Sequence, residues 1–498
     1  MMARLLPRRP GGHERGEPIP ARVHLVGVGG IHMSAIAEML LARRHLVSGS
    51  DLAASAITRR LQALGATVYI GHDAAQIGSA DLVVTTAAAG EENPELRAAR
   101  ARGTPVAVRA EMVARLTAER DLLAVAGSHG KTTTSTLLAL MLVHAGLDPL
   151  VLLGGQSRDL AALAPAREVE LPAAGTALHD GSGVHAVIEA DEYAGAFLHY
   201  APQVAVITSV EPDHLDYYGS EERLRGAFSD FAARVVDGGA LVVCADDPGA
   251  AALGAARERA GARVERYGIA APGELTWRAT RLRLNDDGGY DFVVRWDERE
   301  LGDLSLRVPG RHNVLNALAA LAAAMRAGVD FHRARAAASA FTGAHRRFDP
   351  HGEVALGGGV VTLLDDYAHH PTEVRATLQA ARQRYAGRRL VGCFQPHTFS
   401  RSAYLLEGFR DCFEQLARLY VIPTYAAREP ASAGLDGSAL AREIERPEAT
   451  YLADIESGAD RIASELEPGD VFITLGAGPV DLLLPMVRAR LLAMGAAP

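Results

Sequence analysis

"DLLAVAGSHGKTTTSTLLALMLVHAG", residues 121–146, reads as a short apolar strand, a loop bounded by Gly127 and Gly130, and a helix. A strand that runs through a glycine loop into a helix is the way an α/β sheet presents backbone N–H groups to a phosphate. The loop also holds Lys131, the only lysine among 51 basic residues. A lysine is a compact charge on a flexible stem and reaches between two phosphates, whereas the wide guanidinium fork of arginine does not enter the same nest. Composition has replaced lysine everywhere except where its shape matters. The pattern is a shortened phosphate loop, G127-x-x-G130-K131-T132, because Val125 stands where the full form has its first glycine. Ser128, His129, Gly130, Lys131, Thr132 and Thr133 are therefore expected to line a nucleoside triphosphate, with the Thr132 hydroxyl on Mg²⁺.

Outward from this stretch the chain alternates apolar strands with amphipathic helices, which predicts α/β blocks with mainly parallel sheets. The first block opens with "ARVHLVGVGGIHMSAIAEMLLARR", residues 21–44: a strand, a turn at Gly27, Gly29 and Gly30, and a helix from Ile31. A second strand ends at Asp51 and a further one, "DLVVTTA", at Thr86. This is a nucleotide-binding half-fold, and those six residues are candidates for substrate binding. The second block adds strands ending in "VIEAD", "VITSV" and "VVCADD", then an alternating segment, 275–308, expected as a small antiparallel sheet. Residues 158–183 lack a pattern and read as an insertion. The third block carries "VVTLLDDY", "RLVGCFQ", "RLYVIPTY", "ATYL" and "DVFITLGAG". Expected boundaries are a disordered tail at 1–20, domains at 21–120 and 121–328, and a last domain at 329–498.

Composition excludes some classes. The net charge of −9 carries no long basic run, which argues against nucleic acid. No apolar run reaches membrane-spanning length, and the first 20 residues lack the apolar core of a signal peptide. Cys244, Cys393 and Cys412 are scattered without a CxxC pair, as in a reduced, cytoplasmic protein.

Polar clusters follow successive strands. Glu189, Asp191 and Glu192 end one strand; Glu211, Asp213, His214 and Asp216 end the next. In a parallel sheet these ends lie beside the phosphate loop, so a Glu and a His from neighbouring strands are expected to hold a second Mg²⁺. Asn313 and Asn316, at a helix start, serve either as caps or as a donor–acceptor pair for adenine. Arg346 and Arg347 open the third block. Asp365, Asp366, Tyr367, His369 and His370 follow one of its strands, and His397 and Arg401 follow the next.

The series "GVGGIHMSAIA", "GSHGKTTT", "EADEYAGAFL", "EPDHLDYY", "HNVLNALAA", "HRRF", "DDYAHHPTEV" and "FQPHTFSR" resembles, in this order, the Mur ligases of bacterial cell-wall synthesis over residues 22 to about 480. The resemblance implies three domains: a Rossmann-like N-terminal domain for a UDP-sugar, a central ATPase, and a Rossmann-like C-terminal domain. It implies ATP-driven amide formation through an acyl phosphate, with UDP-N-acetylmuramate and L-alanine as substrates, by a monomer or homodimer. Under it Lys131 holds the γ-phosphate, Thr132 one Mg²⁺, and Glu189 and His214 the second. Asn313 holds adenine, Arg347 and Asp366 close on ATP, and His369, His397 and Arg401 face the substrates. Ser209, Ala194, Gly195, Thr398 and Pro479 depart from the family pattern. "DDYAHHPTE" and "FQPH" point to the alanine-adding member, while "EADEY" is also similar to the ligase that recycles a tripeptide onto the same sugar. A nicotinamide oxidoreductase would use the first glycine loop but leaves Lys131 and the acidic strand ends unexplained. A non-catalytic nucleotide sensor would not need Lys131, Glu189 and His214 together.

Overall fold

The computed structural model describes residues 18–86, 89–163, 175–427, 429–430 and 434–495. Three sheets follow one another along the chain. The first is wholly parallel, with Thr67–Ile70, Leu46–Asp51, Arg22–Val26, Leu82–Thr85 and Val106–Val108 side by side. Its central strand, Arg22–Val26, feeds the turn at Gly27–Gly30 and the helix Ile31–Ala42. The expected tail lies outside the described residues except for its last three: Ile19 packs on the core, and the Pro20 carbonyl faces His45 Nδ1 at 2.8 Å.

Among the described residues the central sheet has ten strands. Asp121–Ala126 lies inside it, parallel to Val204–Ile207 on one side and His185–Glu189 on the other. Continuous apolar sequence suits these strands because both sheet faces are covered; residues 122–126 and 204–207 are all buried. The antiparallel segment is not a separate sheet. Trp277–Leu284, Tyr290–Trp296 and Arg299–Leu306 extend the same sheet, joined where Tyr267 and Gly268 pair with Trp277 and Arg278. The expected insertion contains a strand as well, Thr176–Asp180, antiparallel to Leu150–Ser157 at the other edge.

The phosphate-loop helix, Lys131–His144, packs on Arg311–Arg326. The second helix is alanine-rich and buried from Ala317 to Ala324. Alanine is the strongest helix former, and its small side chain lets two buried helices approach closely. The helix Phe331–Ala340 packs against the phosphate-loop helix, and Ala334, Ala337, Ala338 and Phe341 belong to the same apolar cluster as the central strands.

The third sheet orders Asp349–Leu356, Gly359–Asp366, Val471–Leu475, Leu390–Phe394, Arg418–Val421 and Ala449–Tyr451. Only the first strand runs antiparallel. Separate apolar clusters cover its two faces. Cys244, Cys393 and Cys412 are free and buried. Among the described residues no helix is long and apolar enough to cross a membrane.

Candidate active site

The loop after Asp121–Ala126 needs both its glycines. Gly127 has φ +133°, and a Cβ there would stand 2.0 Å from Thr208 Oγ1; at Gly130, φ +78°, it would stand 2.5 Å from Asn316 Oδ1. The neighbouring strand end clamps the loop: Ser128 N–H donates to the Ser209 carbonyl at 3.0 Å, and His129 N–H donates to Ser209 Oγ at 3.0 Å. Gly130 then starts the helix without any side-chain cap, which leaves N–H groups free to face an anion.

Lys131 Nζ donates to the Gly127 carbonyl at 2.6 Å and to both oxygens of Glu192 at 3.0 and 2.8 Å. Burial alone would lower the ammonium, but Glu192, Asp191 and Glu189 raise it above its ordinary value, so it stays charged. Glu192 is 0% exposed. Burial pushes its carboxyl up, and Lys131 and then His214 oppose this. The residue types were legible in "EADEY", but the direct pairing of Glu192 with Lys131 was not.

Thr132 Oγ1 donates to Glu189, 3.2 and 3.0 Å from its two oxygens, and Gly154 N–H donates to Glu189 Oε2 at 2.8 Å. His214 stands instead beside Asp191 and Glu192, with one ligand atom from each of the three within 4.8 Å of the others. Glu189 thus faces Thr132, and His214 faces Asp191 and Glu192, the two acids that follow Glu189 in "EADE". A hydroxyl with a carboxylate, and two carboxylates with an imidazole, are donor sets that suit a hard dication.

Lys131, Thr132, Glu189, Asp191 and His214 line one cleft of about 450 Å³, and all three domains supply it. The first contributes Ile31 and His32 from the start of its helix. The buried His32 Nε2 has no hydrogen-bond partner among the described residues. Burial and then Arg109 lower its ring to about 3. Behind it Gly29 N–H donates to Asp51 Oδ2 at 2.8 Å, and Gly27, φ +80°, sits so close to Thr86 that a Cβ would stand 2.7 Å from its methyl. The sequence-predicted Gly27, Gly29 and Gly30 thus form one turn, held by Asp51 from the next strand and packed against Thr86.

The third domain contributes Tyr367, His369, His397 and Arg401. Arg401 Nε and Nη2 donate to Asp213 Oδ1 at 3.0 and 2.6 Å, a buried ion pair across the domain gap. Burial lowers His369 to about 4. Burial, then His369 and Arg401, lower His397 to about 2. Both rings are neutral at pH 7. Arg346 and Arg347 sit over the Tyr367 ring, 5.2 and 5.0 Å from its centre.

A second cleft of about 290 Å³ adjoins the loop, lined by Asn313, Asn316, Tyr267, Phe341, Arg347 and Asp366 among others. Its polar and aromatic walls suit a nucleoside base. Asn313 is partly engaged: its Nδ2 donates to the Pro309 carbonyl at 2.7 Å, and its Oδ1 accepts from Asn316 Nδ2 at 3.0 Å. Asp366 accepts backbone N–H bonds from Phe348 at 2.7 Å and Ala368 at 2.8 Å, so it shapes the chain that carries Arg347. Burial raises its carboxyl to about 6, against the pull of Arg347.

Three family models match the chain in order: "Mur ligase family, catalytic domain" over residues 22–121, "Mur ligase middle domain" over 125–324, and "Mur ligase, glutamate ligase domain" over 346–478. The chain belongs to the Mur ligase family. The UDP-N-acetylmuramate–L-alanine ligase of Mycobacterium tuberculosis is 43% identical over 493 residues, covering 96% of each chain. The crystal structure of the UDP-N-acetylmuramate–alanine ligase of Thermotoga maritima superposes with a TM-score of 0.77 at 27% identity, covering 94% of this Mur ligase and 98% of that chain. A murein peptide ligase of Psychrobacter arcticus superposes at 0.67 and 23% identity, covering 95% and 99%, and shares the fold.

The departures from the family pattern have local roles in this Mur ligase. Ser209 supplies the clamp on the phosphate loop. Ala194 and Gly195 both take left-handed conformations, φ +55° and +67°, in the turn after "EADEY". Thr398 also has positive φ, +63°, and borders the larger cleft beside His397. Pro479 follows Gly478, whose carbonyl accepts from Arg346 Nη1 at 3.1 Å.

Proposed function

We propose that this Mur ligase joins L-alanine to the carboxylate of UDP-N-acetylmuramate with ATP, in peptidoglycan precursor synthesis. The observation that carries this reading is the 43% identity, over 96% of both chains, to a UDP-N-acetylmuramate–L-alanine ligase, together with a phosphate loop whose lysine faces a three-domain cleft. A sugar carboxylate oxygen attacks the γ-phosphorus, the β–γ bridging bond breaks, and ADP leaves with an acyl phosphate formed. The amine of L-alanine then attacks the acyl carbon, phosphate leaves, and the amine gives up a proton.

Phosphoryl transfer needs positioning and charge more than covalent chemistry from the protein. Lys131 moves from Glu192 to the γ-phosphate and balances charge there. The open N–H groups at Gly130 receive the phosphates. Asn313 and Arg347 orient the nucleotide in the smaller cleft. Thr132 and Glu189 would hold one Mg²⁺, and His214, Asp191 and Glu192 a second. Bound Mg²⁺ neutralises phosphate charge during transfer. Gly27, Gly29, Gly30 and Ile31 present the sugar nucleotide, while the neutral His369 and His397 and the charged Arg401 face the acceptor.

The tripeptide-recycling activity is the second reading. The 43% identity over 96% of both chains to an L-alanine ligase speaks against it. So does the short turn Tyr193–His199, whose Phe197 is fixed by stacking on Phe231 at 4.8 Å and leaves no inserted loop to grip a peptide. The deciding measurement is phosphate release with UDP-N-acetylmuramate and each acceptor. L-alanine is expected to give the highest kcat/KM, ahead of glycine by about 10–200-fold for one methyl group. A higher kcat/KM for the tripeptide would overturn the assignment.

A further inference from the structure

A second imidazole–carboxylate cluster, His129, Glu211 and His370, lies at the phosphate loop, where His129 and Glu211 border the smaller cleft. His129 Nε2 is 3.1 Å from Glu211 Oε2, and His370 Nδ1 is 3.7 Å from the same oxygen. The two rings are 4.5 Å apart, and the three donor atoms all lie within 4.8 Å of one another. We infer that His129, Glu211 and His370 form a site for a transition-metal dication of the zinc class, separate from the magnesium positions.

The outer contacts are those of a metal centre. A ligating histidine usually gives its other ring N–H to a carboxylate or a carbonyl. His129 Nδ1 faces Glu373 Oε1 at 3.2 Å, and His370 Nε2 faces the Pro212 carbonyl at 3.3 Å. The carboxylate is oriented too, since Thr372 Oγ1 donates to Glu211 Oε2 at 2.7 Å. Each inward donor thus has a partner that fixes its direction. Two nitrogens and one oxygen, with a position left for water, suit Zn²⁺ or Co²⁺ and not Mg²⁺, which takes oxygen donors. The costs are the hydrogen bond from Thr372 N–H to His370 Nδ1, 3.2 Å in length, and the proton that His129 Nε2 holds towards Glu211, which binding of the dication releases.

The three ligands come from two domains. His129 is in the phosphate loop and Glu211 ends a central strand, while His370 caps the helix Pro371–Arg384 of the last domain. A bound dication is therefore a tether between the nucleotide loop and the domain that covers it. The cluster Asp191, Glu192 and His214 differs in its donors, two carboxylates and one imidazole, and in the Lys131 ammonium that sits beside Glu192 in the nucleotide-free molecule.

The test uses the full chain without nucleotide. Zn²⁺ alone is titrated against a chromogenic chelator in excess Mg²⁺. One equivalent is expected to bind per chain and to raise the melting temperature. His370→Gln and Glu211→Gln should each weaken Zn²⁺ by at least about tenfold, and His214→Gln should leave it unchanged. Wild-type affinity in both variants, or weakening only in His214→Gln, would overturn the site. If a variant does not fold, Co²⁺ bound to the wild-type chain decides. An intense tetrahedral visible spectrum supports the site, and the weak spectrum of a six-coordinate ion refutes it.

Discussion

At Lys131 shape and charge are both constrained. Its ammonium is tied to Glu192 and two backbone carbonyls inside a loop that admits no bulk at Gly127 or Gly130. A guanidinium cannot adopt this arrangement without pushing on the loop. Lys131→Arg is expected to lower kcat by several powers of ten with unchanged circular dichroism and melting temperature. Near-normal ATP-dependent turnover would remove the loop from the mechanism. Lys131 is the only lysine in this chain, so no second lysine is present near the acidic cluster to be carboxylated by CO₂. Turnover is expected to be the same in buffer stripped of CO₂ and in bicarbonate.

The phosphate loop as an element depends on the strand beside it. Gly127→Ala would drive a methyl into Thr208 and the backbone N–H of Ser209, where a Cβ would stand 2.9 Å from that nitrogen. The strained φ alone costs about 1–3 kcal/mol, and the collision adds to it. Urea unfolding is expected to show a loss above that range, together with weaker ATP binding; a loss below about 1 kcal/mol would show that the loop can relax away from Val204–Ile207. The same element carries a charge clamp. Burial would lower His129, but Glu211 and Glu373 raise it from 6.5 to about 10. Because the folded value is the higher one, the stabilisation is fully present below pH 6.5 and is lost as pH rises through about 10. The melting-temperature gap between wild type and His129→Gln should therefore be widest below pH 6.5 and close towards pH 10. A gap that is flat across this window would contradict the clamp.

Across the whole molecule, ion pairs bridge the domains, one of them buried on both sides and one half exposed at its arginine. Asp213 of the central domain holds Arg401 of the last one, and burial, outweighed by Arg401, His214 and His369, leaves the carboxyl well below its usual range. Asp349, in the crossover between domains, accepts from Arg158 at 2.8 and 3.2 Å and faces His345 at 2.9 Å. Asp213→Asn leaves a buried guanidinium without its counter-charge, which costs about 3–5 kcal/mol. It is expected to raise the KM for the acceptor and to loosen the nucleotide-free molecule. A larger radius of gyration by small-angle scattering would show the second effect, and an unchanged radius with unchanged KM would refute it.

The sequence by itself determined the alternation of strands and helices, the phosphate loop, the first glycine turn and the acidic strand ends. These are local: a glycine pair, a lone lysine or an apolar run has the same consequence wherever the chain places it. The sequence also carried enough ordered motifs to point to the Mur ligases. Only the tertiary structure decided that Lys131 rests on Glu192, that Glu189 serves Thr132 while His214 turns to Asp191 and Glu192, and that Asn313 and Asp366 spend part of their hydrogen-bonding capacity on the backbone and on Asn316. It also carried residues 331–341 into the central core and fused the antiparallel hairpins to the parallel sheet. Each of these depends on strand order and on the packing of residues up to hundreds apart, such as His129 against Glu373. Periodicity reports which face of an element is buried, and has no term for which element lies next to it.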